Sequence, residues 1–201
     1  LEAFAVGAMP QAIAVAEGLD RAVFRDFVDL AHASHRAGTE VHFRPDKAIF
    51  SDAIFHHDIL AKRLRELAFL NSGIINRLVD ERAGRDEIFE YQGGISAFVE
   101  HLNQNKQVLH PSPIYFSATQ DDVQVDVAAQ WNDSYTENVM CYTNNIPNRD
   151  GGTHLSGFRA SLTRTLNNYA TRNDMFKSNK VNLTGDDMRE GLLAVLSVKM
   201  P

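Results

Sequence analysis

Gly151-Gly152-Thr153-His154 is the stretch whose residue types most suggest a reactive site. Two glycines ahead of a helix start could cradle a phosphate, because free backbone N–H groups and the helix dipole both favour an anion there. The same residues fit a tight turn with a left-handed glycine and Thr153 as helix N-cap. Helix-start preferences favour the turn, and no Gly-Lys-Ser/Thr follows at the spacing of a Walker loop. Thr184-Gly185-Asp186-Asp187 poses a parallel choice. Two carboxylates could hold Mg²⁺ for hydrolysis or DNA cleavage. Adjacent side chains on a helix diverge, however, and Thr-x-x-Asp is the spacing of a capping box. The capping reading is preferred.

Other candidates carry less. His56-His57 and His32-x-x-His35 could be offered as zinc ligands, but with Cys141 the lone cysteine the usual Cys/His site is not available. No Ser, His and Asp are linked by a nucleophile motif. Trp131 before Asn132-Asp133-Ser134-Tyr135 reads as a strand end and turn, the aromatic serving packing sooner than base stacking. Arg149, Arg159, Arg164 and Arg172 fall within one short span, and charge patterning alone leaves open whether they form a basic surface.

These residues need elements to position them. Residues 3–16 suggest short strands around the Pro10 turn, and Leu19, Val23, Phe27, Leu30 and Ala31 follow helical spacing. Thr39 opens a strand, TEVHF, that Pro45 ends. Asp52 can cap a helix running to Leu70, with Phe55, Ile59, Leu60, Leu64 and Leu67 on one face and Asn71-Ser72-Gly73 as the stop. A strand from Ile74, a turn at Ala83-Gly84 and a strand to Tyr91 read as a hairpin. A short helix over Ile95 to Leu102 precedes strands at 114–118, 123–131 and 138–142. A long helix fits His154 to Tyr169, with Phe158, Leu162 and Leu166 as its apolar stripe. Thr184 caps a last helix, and Gly191 opens a final strand, LLAVLSV. From residue 52 onward this order suits a mixed α/β sandwich with helices on one sheet face.

Composition sets outer limits. A chain of 201 residues, 44% apolar and 23% charged, suits one domain plus part of a neighbour. It contains no apolar run long enough to span a bilayer. A single cysteine excludes an internal disulfide and fits a reducing cytosol, so a cytoplasmic location is expected. A net charge of −6 argues against bulk nonspecific DNA binding, which rests on Lys and Arg neutralising phosphates. The start at Leu1-Glu2 has neither initiator Met nor signal segment and is read as a piece of something larger.

Several blocks resemble one family in order: LAKRLRELAFLNSG from Leu60, YQGGISAFVEHLNQNK from Tyr91, QWNDSYTENV from Gln130, NNIPNRDGGTHLSGFRASLTR from Asn144 and TGDDMREGL from Thr184. Together they are similar to the transducer domain of bacterial DNA gyrase B, the ATP-driven part of a type IIA topoisomerase. The resemblance runs from about Gly38 to Pro201. It implies an α/β (α+β) fold: a transducer domain of the ribosomal-protein-like and GHMP-kinase-like βαβ sandwich type. The remnant of a preceding GHKL ATPase domain would cover residues 1–50 and the transducer 51–201. Residues 19–36 depart from the family pattern as a helical insertion.

The resemblance also implies roles. Thr39 matches a threonine bordering the adenine pocket, in a Thr-Gly-Thr start that here reads Ala37-Gly38-Thr39. Arg159 matches an arginine lining the cavity through which DNA passes, a phosphate contact without sequence information. The competing reading of Arg159 is a surface ion pair worth under about 1 kcal/mol. Gly151, Gly152, Thr153, His154, Thr184, Asp186 and Asp187 belong to transducer motifs that position helices. The glutamate base, magnesium-binding asparagine, adenine-binding aspartate and glycine-rich lid of the family precede this chain, and a Gln-x-Lys loop follows Pro201. ATP and Mg²⁺ are therefore expected in the full-length protein and not on this piece, which alone should hydrolyse nothing. DNA, the gyrase A protein and a second copy forming a homodimer are the implied partners. The ATPase protein of topoisomerase IV is the nearest alternative. A non-enzymatic DNA- or protein-binding module with the same fold is the alternative of another class. A small-molecule kinase of related fold is disfavoured by the lack of a glycine-rich phosphate loop.

Overall fold

The computed structural model of the chain describes residues 3–7, 11–16, 39–43, 46, 48–49, 54–175 and 183–201. The expected insertion at 19–36, with His32 and His35, lies outside them, as does Asp52. Two compact units divide the chain, Leu1–Gly94 and Ile95–Pro201. Strand β2 (Gln11–Ala16) runs parallel to β4 (Ile75–Asp80), so one sheet takes strands from both sides of residue 50.

In the first unit the strand order is β3-β1-β2-β4-β5, with β1 at Ala3–Gly7, β3 at Thr39–Phe43 and β5 at Arg85–Glu90. The hairpin β4–β5 turns through Gly84 at φ +63°, a left-handed position suited to glycine. Asp80, buried at the end of β4, accepts from the backbone N–H and guanidinium of Arg82, and Arg82 also donates to Phe55 O. That pairing holds the Asp80 carboxyl below its ordinary range. Helix α1 covers His57–Leu70, later than the start expected at Asp52, and its N-cap His56 makes no side-chain cap bond. Its inward face is also reset. Ala61 and Ala68 are buried with Leu78 and Phe89, flanked by Leu60, Leu64 and Tyr91, whereas Ile59 faces water. Small alanines let the helix approach the sheet closely, and buried Asn76 ties the two by donating to Leu64 O at 3.0 Å.

The second unit is built on a sheet ordered β6-β7-β10-β8-β9. Its strands are β6 (Ile114–Gln120), β7 (Val123–Trp131), β8 (Asn138–Thr143), β9 (Ile146–Pro147) and β10 (Leu192–Lys199). β10 is antiparallel to β7 and parallel to β8, so the last strand in sequence is the middle one in space. Its residues Leu192 to Val198 are all buried, the signature of a strand covered on both faces. Helix α3 (Thr153–Arg172) lays Leu155, Phe158 and Leu162 on Val127, Ala129, Cys141, Leu192, Ala194 and Leu196. Helix α2 (Gly94–Asn103) lies on the opposite face, with Phe98 against Tyr142 and Asn103 bonded to Gln130. The helices thus flank the sheet on both sides instead of one, because β10 alternates apolar residues on both. A short helix α4 (Gly185–Arg189) leads into β10.

Candidate functional site

The start of α3 is set by the strand before it. β8 and β9 join through Asn144-Asn145, both at positive φ (47° and 65°), as a two-residue hairpin turn of the I′ kind demands. Asn148 returns to β8 through its N–H to Cys141 O, and Thr143 Oγ1 donates to its side chain. Gly151 follows at φ +72°, and a Cβ there would stand 2.5 Å from Leu155 Cδ2. Gly152 is extended and serves as the N-cap, its carbonyl accepting from Leu155 and Ser156. Thr153 is therefore the first helical residue and not the cap. The His154 ring lies within 2.9 Å of where a Cβ on Gly152 would be. A phosphate cradle needs open space above its glycines, and here Leu155 and His154 fill it. The residues of this turn do not fit a nucleotide.

At α4, Thr184 Oγ1 accepts from the Asp187 N–H while the Asp187 carboxylate accepts from the Thr184 N–H at 2.7 Å, a reciprocal capping box. Bonds from Thr184 hold the Asp187 carboxyl below its ordinary range. Asp186 pairs instead with Arg189 at 2.6 Å. With each carboxylate engaged separately, the pair does not fit a Mg²⁺ site either.

Where these two helices meet lies a charged cluster that sequence reasoning only half found. Arg159 Nε donates to Glu137 Oε1 at 2.7 Å, and Arg189 Nε donates to Glu137 Oε2 at 3.2 Å. Arg189 also reaches Thr163 Oγ1 and Asp186, and Thr163 donates to the Arg159 carbonyl. The Arg189 side chain is 12% exposed and Glu137 20%, against 43% for Arg159. The Glu137 hydrogen bond raises the Arg159 pKa further, so its charge is permanent. Burial pushes the neighbouring Cys141 thiol up despite that guanidinium, and the residue packs in the core with Val127 and Leu196. Glu137 and Arg189 both fall inside blocks noted from sequence, but their pairing spans 52 residues and no local spacing reveals it.

Among the described residues the remaining candidates make no hydrogen bond to this cluster. Thr39 begins β3, its backbone opposite Gly7, in the other unit. His56 is exposed while His57 is buried, within 3.5 Å of Asp58 and 3.8 Å of Glu87, so the two do not act as a pair. Among the described residues no three His, Cys, Asp or Glu side chains group to hold a metal. Trp131 directs its indole N–H to Met188 O at 3.0 Å and packs beside Leu192 and Ala194, a core position. No described helix is long and apolar enough to cross a membrane.

Known proteins share this fold. The DNA gyrase B family matches residues 94–201, the whole of the second unit. The chain is 46% identical over 176 residues to the DNA gyrase B of Halalkalibacterium halodurans, a match covering 87% of this chain and 28% of that protein. The chain belongs to the DNA gyrase B family. The gyrase B of Chlamydia muridarum is 49% identical over 175 residues, covering 84% of this chain and 22% of its own length. Among solved structures, the 43K ATPase domain of Thermus thermophilus gyrase B, crystallised with an aminocoumarin, covers the full chain at a TM-score of 0.73 and 30% identity. This chain corresponds to 55% of that domain, and to about a quarter of the curated gyrase B relatives. These matches favour gyrase B over the topoisomerase IV protein weighed from sequence.

Proposed function

We propose that this chain is the relay segment of gyrase B, linking ATP binding and hydrolysis to DNA strand passage and negative supercoiling. The observation that carries the reading is the family match over the whole second unit. The packing of α3 against a doubly covered sheet supports it, because a relay must transmit movement without deforming. The energy it can transmit is bounded by how differently the nucleotide binds the two orientations of the ATPase domain. In this reading Arg159 meets the backbone of passing DNA. Gly151, Gly152, Thr153 and His154 fix where α3 begins, and Thr184, Asp186 and Asp187 fix α4. Residues 1–50 belong to the end of the ATPase domain and 51–201 to the transducer, with Thr39 at the adenine pocket edge. ATP and Mg²⁺ act in the full-length protein, together with gyrase A, a second copy of gyrase B and DNA, in the cytoplasm. The chain alone turns over no ATP.

Two measurements test this. Purified chain should show no DNA-stimulated, Mg²⁺-dependent ATP hydrolysis above background, and clear turnover would overturn the relay reading. In full-length gyrase, Arg159→Gln should weaken coupling, so that fewer supercoils are introduced per ATP, while nucleotide affinity stays near the parent's. Coupling changes of this kind span roughly 0.5–2 kcal/mol. Unaltered supercoiling removes Arg159 from the mechanism.

A further inference from the structure

We infer that Glu137 is a positioning residue for DNA passage: by accepting from Arg159 Nε, it aims the outer edge of that guanidinium at the DNA backbone. The inference rests on the reading of Arg159 given above. Two arginines share the Glu137 carboxylate, one on each oxygen, and they are used differently. Arg189 is committed through all three of its nitrogens, to Glu137, Thr163 and Asp186. It fixes the carboxylate plane from the inside. Arg159 is engaged only through Nε, and its two terminal nitrogens carry no hydrogen bond among the described residues. Those two nitrogens form the fork that receives a phosphate bidentately. Thr163, one turn along α3, donates to the Arg159 carbonyl while accepting from Arg189. The same anchor therefore holds the backbone under Arg159 as well as its head group. A free surface arginine would lose rotamer freedom on meeting a phosphate, whereas one held at Nε has already lost most of it.

Charge and geometry make opposite predictions here. Arg159 and Arg189 balance Glu137 and Asp186, so the cluster sums to zero. Removing the Glu137 carboxylate leaves it more basic and, on charge alone, should tighten DNA binding. If Glu137 aims Arg159, the same change should impair passage.

The test uses full-length gyrase, its A and B proteins together, with relaxed plasmid as substrate and variants checked for folding by thermal melting. Two quantities are read, supercoils introduced per ATP and the KM for DNA in DNA-stimulated turnover. Glu137→Ala is expected to lower supercoils per ATP by about 3- to 10-fold, in the range of ordinary coupling effects. Combined with Arg159→Gln it should lower the ratio no further than Arg159→Gln alone, since both act through one contact. Glu137→Asp, too short to meet both arginines, should fall between the parent and Glu137→Ala. If Arg159→Gln lowers the ratio and Glu137→Ala does not, Glu137 has no positioning role and the reading of Arg159 stands. A lower KM for DNA with an intact ratio makes Glu137 a charge brake and also overturns the inference. If neither variant changes the ratio, both readings fall together. Should Glu137→Ala not fold, Glu137→Gln leaves one oxygen for two guanidinium groups and must show the same loss; a parental ratio would overturn the inference.

Discussion

Two helix starts in the second unit look alike in sequence and are built on different physics. Both α3 and α4 open near glycine and threonine, and both could be taken for anion or metal sites. At α3 the turn is held by packing: Gly151 has φ +72°, and Leu155 occupies the space its side chain would need. At α4 the turn is held by hydrogen bonds, Thr184 and Asp187 satisfying one another on an exposed surface. The twenty-residue α3 carries Arg159 and rests on the sheet, so its register must be fixed by something water cannot compete with. The five-residue α4 only needs a direction into β10. The Leu155 packing is steep and uncharged, whereas a surface capping box is shallow and titrates.

The largest test of that contrast is Gly151→Ala. A left-handed alanine costs about 1–2 kcal/mol, and overpacking against Leu155 adds roughly 1–3. A loss of about 2–5 kcal/mol is expected by denaturant unfolding. Gly84→Ala is the control, since Gly84 also has positive φ but nothing within 4 Å of its added Cβ. It should show the conformational part alone. Equal losses at the two glycines would mean that Leu155 contributes nothing and that the α3 turn is ordinary.

Thr184→Ala should cost much less, about 0.5–1 kcal/mol, the usual effect of losing a side-chain cap at an exposed end. Amide exchange should quicken at Asp187, whose N–H loses its acceptor, and stay unchanged at Leu155. A loss as large as that of Gly151→Ala would erase the distinction between the two starts.

How far these devices are legible in the sequence depends on the range of the interaction behind each one. Strand β7 is readable to the residue, 123–131, because its edges are fixed by the adjacent Asp121-Asp122 turn and the Asn132 that follows Trp131. The Thr-x-x-Asp box can be proposed because both partners lie three residues apart. The start of α1 at His57 escapes a sequence reading because Asp52 offers a plausible cap while the buried residues of its first turns, His57 and Ala61, are polar or small. The pairing of β2 with β4 escapes it because the two strands lie far apart along the chain. The two-residue β9 is too short to carry a pattern. Arg159 is reached through family likeness, but its partner Glu137 belongs to another block, and only the fold joins them.

The smallest expected effect is acid loosening of the α4 start. Thr184 hydrogen bonds hold the Asp187 carboxyl below its unfolded value, which for aspartate is about 3.9. A carboxyl lowered on folding contributes stability that is present above the unfolded pKa and lost as pH falls through the folded one. The box should therefore stay intact from neutral pH down to about 4 and open below it. Gly151 and Leu155 do not ionise, so their contact has no matching transition of its own. Following the Thr184 and Leu155 amide resonances from about pH 6 to about pH 2 in one titration reads both starts together. Thr184 should shift with a midpoint under about 3.9. Thr184→Ala should move the Asp187 titration back towards that ordinary value. A midpoint above it would mean that nearby Asp186, and not the box, governs the start of α4. In that case the contrast would lie between packing and charge, and hydrogen bonding would have no part in it.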